Sequence, residues 1–147
     1  MTAAAPARLH HIALTVSDLE ASRSWYEQVF SLKYQMDAPH EGGFAQLLAS
    51  ETWDLVIVLH QHDAHDGTPF LESRTGLDHV GLGVPSREDL VTWQAHLEDN
   101  GVVRAEAADR PLTQSAIADE PYGAVLVFRD PDNIQLELSC PKAAPGR

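Results

Sequence analysis

The sequence predicts an α+β fold made of two βαβββ modules, with curved mixed sheets that are predominantly antiparallel and a helix on one face of each. Three observations lead there. RLHHIALTV and GLDHVGLGV superimpose, placing His11 on His79. Each copy runs into a helix-start signal of the capping-box type, Ser17-Asp-Leu-Glu20 in the first and Ser86-Arg-Glu-Asp89 in the second. QLLASETWDLVIVL then lies over VLVFRDPDNIQLEL without a gap, placing Val58 on Glu137. Internal repetition of this kind marks a duplicated supersecondary unit.

Taken in order, the first strand carries Ile12, Leu14 and Val16 on one face and His11, Ala13 and Thr15 on the other, because side chains alternate along a strand. The helix after it sets Leu19, Ser22, Tyr26, Val29 and Phe30 on one stripe. Three segments of strand character follow, around Tyr34, at Phe44 to Ala49 and at Leu55 to Leu59. The second module opens with Val80, Leu82 and Val84 opposite His79, Gly81 and Gly83. Its helix carries Leu90, Trp93 and Leu97 and ends near Asn100-Gly101. Its strand segments are Val102 to Ala105, Ala124 to Phe128 and Ile134 to Leu138. The spacing between the copies lengthens within this module, which places an insertion near Ala107 to Pro121. Asp130-Pro-Asp-Asn133 is a turn by its residue types and sets the register of the last strand. There Ile134, Leu136 and Leu138 oppose Gln135, Glu137 and Ser139; in its earlier copy Leu55, Ile57 and Leu59 oppose Val56, Val58 and His60. The branched apolar faces take the helices.

A chain of 147 residues is the size of one domain, with module one at about 8–61 and module two at about 75–140. Neither copy can bury its helix and close its sheet edges alone. Arg74 to Gly76 is then a linker, and the tails before Arg8 and beyond Cys140 are expected to be disordered. A formal net charge of −12 repels phosphate backbones and anionic lipid, which argues against nucleic acid and membrane partners. No run reaches the roughly 20 apolar residues of a span, and MTAAAPAR lacks the apolar core of a secretory signal, so a cytoplasmic location is expected. The single cysteine, Cys140, has no partner for an internal disulfide and reads as a packed thiol.

His11, His79 and Glu137 carry the chemistry. Each taken singly reads as a wet surface residue. Together they stand on faces that hold Ala13, Gly81, Gly83, Val56 and Val58, side chains suited to the walls of a metal-binding cavity rather than to a solvated sheet. Two imidazoles and a carboxylate suit one divalent ion, Mn²⁺, Fe²⁺, Co²⁺, Ni²⁺ or Zn²⁺, and leave positions open for a small-molecule substrate or water. His60 shares the cavity side and is a candidate for substrate contact or proton transfer. Gln46 and Gln135 offer hydrogen bonds there, and Val127 completes the wall. The rest of His60-Gln-His-Asp-Ala-His-Asp66 reads as a solvated loop, not a second metal site. Gly81-Leu-Gly83 lacks the third glycine of a dinucleotide fingerprint. Trp25, Trp53 and Trp93 default to core or interface packing.

LHHIALTVSDLEASRSWYEQVFSL, GLDHVGLGV and FRDPDNIQLEL resemble the vicinal oxygen chelate superfamily, which spans glyoxalases, bleomycin-resistance proteins and extradiol dioxygenases; the likeness covers about residues 8 to 140. It implies that His11, His79 and Glu137 bind the ion and that the chain forms a homodimer, with modules of one chain or of two completing each site. It also implies isomerase, lyase or dioxygenase-like chemistry on a small oxygenated metabolite that chelates the ion. The alternative is a metal-free binding protein of the bleomycin-resistance type. Departures narrow the choice. Val127 stands where extradiol dioxygenases and fosfomycin-inactivating enzymes carry a tyrosine, and no histidine follows His96. Val58 stands where many glyoxalase I relatives carry a fourth ligand, so an ordinary glyoxalase I is not expected. A two-residue slip would bring His60 to that position instead.

Overall fold

A computed structural model describes residues 2–142, and these divide into two compact units with the boundary between His65 and Asp66. Among the described residues, two helices and ten strands form two mixed sheets, neither closed into a barrel.

Unit 1 contains β1 (Ile12–Thr15), α1 (Leu19–Phe30), β2 (Lys33–His40), β3 (Gly43–Ala49) and β4 (Val56–His62), with strand order β1-β4-β3-β2. β1 runs parallel to β4, and the other pairs are antiparallel. The α1 cap falls on Asp18 rather than Ser17: its carboxylate accepts the Ala21 amide at 3.0 Å and suits the positive end of the helix. α1 buries Ser22, Trp25, Tyr26 and Val29 and packs on β3 and β4. The alternation of β1 is as expected, with Leu14 and Val16 buried and His11, Ala13 and Thr15 exposed. Leu14, Val16, Ile57 and Leu59, each at most 3% exposed, contribute about 1.5–3 kcal/mol apiece through apolar burial. β2 is an exposed edge strand whose register shifts between Tyr34 and Met36.

Unit 2 contains β5 (Val80–Gly83), α2 (Arg87–Asp99), β6 (Val103–Arg104), β7 (Thr113–Gln114), β8 (Ala118–Glu120), β9 (Gly123–Arg129) and β10 (Gln135–Pro141). The strand order is β5-β10-β9-β7-β6, with β8 also paired to β9. Ser86 Oγ accepts the Asp89 amide at 3.2 Å, which caps the helix, and its hydroxyl donates to Asp89 Oδ2 at 2.6 Å. The buried stripe of α2 is Leu90, Gln94 and Leu97. Trp93, expected on that stripe, is half-buried. Five strands rather than three follow the helix. The insertion supplies β7 and β8, which share the edge of β9, and β6 pairs parallel with β7 instead of meeting β9.

Residues 66–79 belong to unit 2. The Phe70 amide donates to Asp132 O at 2.8 Å, and Glu72 meets the buried Arg129 through two bonds of 2.9 and 3.1 Å. Arg74 to Gly76 therefore lies within a strap already bonded to the β9–β10 turn. β10 continues through Pro141, past the expected start of the tail. Gly123 sits opposite Pro141 at φ 157°, and a Cβ there would stand 2.0 Å from Cys140 O, so only glycine fits. Residues 2–11 are exposed and in neither helix nor strand; Met1 and residues 143–147 of the expected tails lie outside the described residues. No helix among the described residues is long and apolar enough to cross a membrane.

The registers of the two units agree at one place and part at another. Ala13 pairs with Val58 and Gly81 with Glu137, so Val58 is the counterpart of Glu137 and the slip toward His60 does not occur. Yet Val58 pairs back to Leu47, whereas Glu137 pairs to Val127. The counterpart of Val127 is therefore Leu47 and not Leu48, as the gapless overlay has it. The turn is responsible: it holds residues 50–55 in unit 1 and 130–134 in unit 2, one residue fewer.

Candidate functional site

Unit 2 brings two of the three expected ligands onto one sheet face. Gly81 lies beside Glu137, so alternation puts His79, Gly81 and Gly83 on the same side as Gln135, Glu137 and Ser139, away from α2. His79 Nδ1 lies 2.7 Å from Asp78 Oδ1. A carboxylate only accepts, so Nδ1 carries the proton, and in neutral imidazole Nε2 holds the free lone pair. Ser139 Oγ donates to Glu137 Oε1 at 2.7 Å, which holds one carboxylate oxygen and leaves Oε2 for another partner. Val127 flanks Glu137 on β9 as an apolar, half-buried wall, and Gln135 is half-buried two residues before it. Tyr122 has a phenol held above its usual range, first by desolvation and then by the charges of Glu137 and Glu120. It lies in the β8–β9 turn, beside the insertion, where no periodicity marks it.

Unit 1 carries His11 exposed just before β1, with its Nδ1 2.9 Å from that of His10. Ala13 pairs with the buried Val58 and Thr15 with His60. Gln46 is not with them. It pairs with Leu59, on the α1 side of the sheet, donates to Asp37 Oδ1 at 3.1 Å, and lines a polar cleft of about 630 Å³ with Asp18, Arg23 and Gln61. The longer turn explains this, since a one-residue change in pairing moves every side chain of a strand to the opposite face.

The same face of unit 1 gathers three histidines. His40, His60 and His62 place one ring nitrogen each within 4.8 Å of one another. β4 extends through His62, so the start of the histidine-rich segment is strand and not the loop expected from its composition. His60 and His62 alternate onto one face, and His40 arrives from β2, whose pairing partner Gly43 faces His62. The His60 imidazole is held below its usual range, first by burial and then by the neighbouring charges of His40, His62 and His11. His40 and His62 have no counterpart among the candidates drawn from sequence. The usable signal was the alternation of His60 and His62; nothing local pointed to His40.

The family model of the Glyoxalase/Bleomycin resistance protein/Dioxygenase superfamily matches residues 8–138. No curated protein matches the chain. Among solved structures, a glyoxylase/bleomycin resistance protein/dioxygenase domain from Frankia sp. EAN1pec is 29% identical with a TM-score of 0.80, covering 94% of this chain and 100% of that one. A single-residue variant of the fosfomycin resistance protein FosX from Listeria monocytogenes, complexed with Mn(II) and 1S,2S-dihydroxypropylphosphonic acid, is 17% identical with a TM-score of 0.61, covering 92% and 93%. TnmS3, an antibiotic binding protein from Streptomyces sp. CB03234, is 20% identical with a TM-score of 0.67, covering 95% and 100%. At such identities the last two likenesses are likenesses of fold.

Proposed function

The chain belongs to the Glyoxalase/Bleomycin resistance protein/Dioxygenase superfamily, and from that premise we propose that it is a metal-dependent enzyme of the vicinal oxygen chelate type. Its substrate is a small oxygenated metabolite that chelates the ion, and its ligands are His11, His79 and Glu137. One observation carries the reading: His79 and Glu137 share a sheet face, and each has a neighbour that orients it, Asp78 for the imidazole and Ser139 for the carboxylate. Outer partners of this kind accompany metal ligands and are superfluous for wet surface residues. The Mn(II) bound by FosX is further support.

A bound Mn²⁺, Fe²⁺, Co²⁺, Ni²⁺ or Zn²⁺ supplies Lewis acidity toward neighbouring oxygens of the substrate. The chain's own residues do the rest. Asp78 fixes the tautomer of His79, and Ser139 restrains one oxygen of Glu137. Gly81 leaves room beside the carboxylate, Val127 excludes water from its flank, and Gln135 offers an amide to a polar substrate group. Val58, the counterpart of Glu137, can neither coordinate nor carry a proton, which argues against ordinary glyoxalase I chemistry.

The test is the metal content of untagged protein. His79→Ala and Glu137→Gln are each expected to lose about one divalent ion per chain relative to the parent. Equal content in all three would overturn this ligand set, and equal and negligible content would favour the metal-free binding alternative. The metal-loaded parent is expected to turn over the methylglyoxal-glutathione hemithioacetal far more slowly than the ~10 per second typical of enzymes on their own substrates. We extend the proposal to a homodimer, checked by sedimentation at micromolar concentration; a monomer that retains the ion would contradict it.

A further inference from the structure

We infer that His40, His60 and His62 form a second binding site, within unit 1, for a borderline divalent transition ion such as Zn²⁺, Co²⁺, Ni²⁺ or Cu²⁺. The geometry begins with His40. Its Nδ1 lies 3.0 Å from the carbonyl oxygen of Glu41, and a carbonyl can only accept, so Nδ1 carries the proton and Nε2 presents a lone pair. That lone pair faces His60 Nδ1 at 3.2 Å. Two nitrogens bound to one tetrahedral zinc, each about 2.0–2.1 Å from it, stand about 3.3 Å apart. The pair is therefore already spaced as two ligands of one ion, with a single proton shared where the ion would sit. His62 completes the set: its ring is nearly parallel to that of His60, 5.9 Å away, and its ligand nitrogen lies within 4.8 Å of the other two. It is exposed at the end of β4, so a side-chain rotation closes the remaining gap.

The backbone leaves space for this cluster. A Cβ on Gly43 would stand 2.6 Å from His40 Cε1 and 3.0 Å from His40 Nε2, so the imidazole occupies ground that any other residue at 43 would claim. The Glu41 carbonyl is an outer partner that fixes ring and tautomer, as backbone carbonyls do for metal-bound histidines. Three neutral nitrogens without a carboxylate favour Zn²⁺ or the later transition ions over Mg²⁺, Ca²⁺ or Mn²⁺, which separates this site in preference from a two-histidine, one-carboxylate site. A fourth position is open for water or an exogenous ligand. His60 then serves as a ligand, a different task from the proton transfer expected of it.

The experiment uses the full, untagged chain in a His79→Ala background, so that the proposed His11, His79 and Glu137 site does not contribute. Zn²⁺ is titrated while the imidazole ¹⁵N resonances are followed, and Co²⁺ affinity is measured by its visible absorption. The expected result is that His40, His60 and His62 shift together on Zn²⁺ addition. His62→Gln, a change at an exposed side chain that leaves the far-ultraviolet circular dichroism unaltered, is expected to weaken Co²⁺ binding by about 100-fold or more. Shifts confined to other histidines, or an unchanged Co²⁺ isotherm in His62→Gln, would overturn the inference.

Discussion

Among the described residues, the buried polar side chain of unit 1 is Ser22, whereas unit 2 buries Gln94, Thr113, Gln114, Arg129, Asp130 and Asp132. The difference follows the insertion. Unit 1 pairs β2 with β3 along seven residue pairs and needs no further attachment there. Unit 2 fills the same edge with β7, joined to β9 through one pair, and β8, joined through three. Such short strands bring little apolar area and few ladder bonds, so side chains bond them to backbone carbonyls instead. Gln114 donates to Gln94 O at 3.1 Å and to Val102 O at 2.9 Å. Arg129 donates to Ala108 O and to Asn133 O. A duplicated plan thus tolerates irregular chain on one copy when buried side-chain donors bond its carbonyls, although Gln114 Oε1 and Asn133 Oδ1 are buried without a hydrogen-bond partner.

That contrast can be broken in steps. The largest effect is expected from Arg129→Met, which takes the donor from two carbonyls and from Glu72; each buried acceptor left unsatisfied costs about 1–3 kcal/mol, with a smaller screened contribution from the part-exposed Glu72, read from the urea midpoint. A loss below about 1 kcal/mol would mean that unit 2 does not depend on its polar attachments. Gln114→Leu keeps the volume but abandons two carbonyls, and a cost of about 1–3 kcal/mol is expected on the same measurement.

Glu72→Gln comes next. The Glu72 carboxyl is lowered from 4.5 to about 2, first by the hydrogen bond from Arg129. A depressed acid stabilises the fold fully above its unfolded value and loses that contribution as pH falls through the folded one, here from about 4.5 to about 2. Its side chain is 34% exposed, so solvent screening reduces the effect at neutral pH to about 1 kcal/mol. The stability difference between parent and Glu72→Gln should shrink across that acid window; a difference constant with pH would contradict the pairing. The smallest effects sharpen the comparison from the other side. Asp18→Ala and Ser86→Ala each remove one helix cap and should cost about 1 kcal/mol, alike in both units, when followed by thermal unfolding.

The parts of the fold legible in the sequence were those fixed by alternation and local chemistry. Ile12, Leu14 and Val16, like Leu136 and Leu138, declare their buried face by residue type, and alternation also puts Ala13 and Val58 on the opposite faces of their strands; that the two pair with each other comes from the structure. β7 and β8 were not legible, because two- and three-residue strands carry no period to detect. Gln46 was assigned to the wrong face because turn length is set by backbone geometry that an overlay of residue types does not sense. The histidine cluster was half legible: His60 and His62 alternate on one strand, but His40 joins them across a hairpin, and long-range pairing leaves no local trace. His11, His79 and Glu137 are legible jointly from repeat and donor chemistry, and the structure adds Asp78 beside His79 and Ser139 beside Glu137.

The unequal β3–β4 and β9–β10 turns bear on heredity. If the two halves descend from one duplicated ancestor, a genetic crossover between them within the β1 or β5 segment would join strands that are in phase, since Ala13 and Gly81 meet their partners identically. A crossover inside the hairpin would not. It would join a strand to a turn of the other length and present its buried side chains to solvent. On that premise the single-residue difference favours inheritance of each hairpin whole, with Glu137 kept beside Val127 and Val58 beside Leu47.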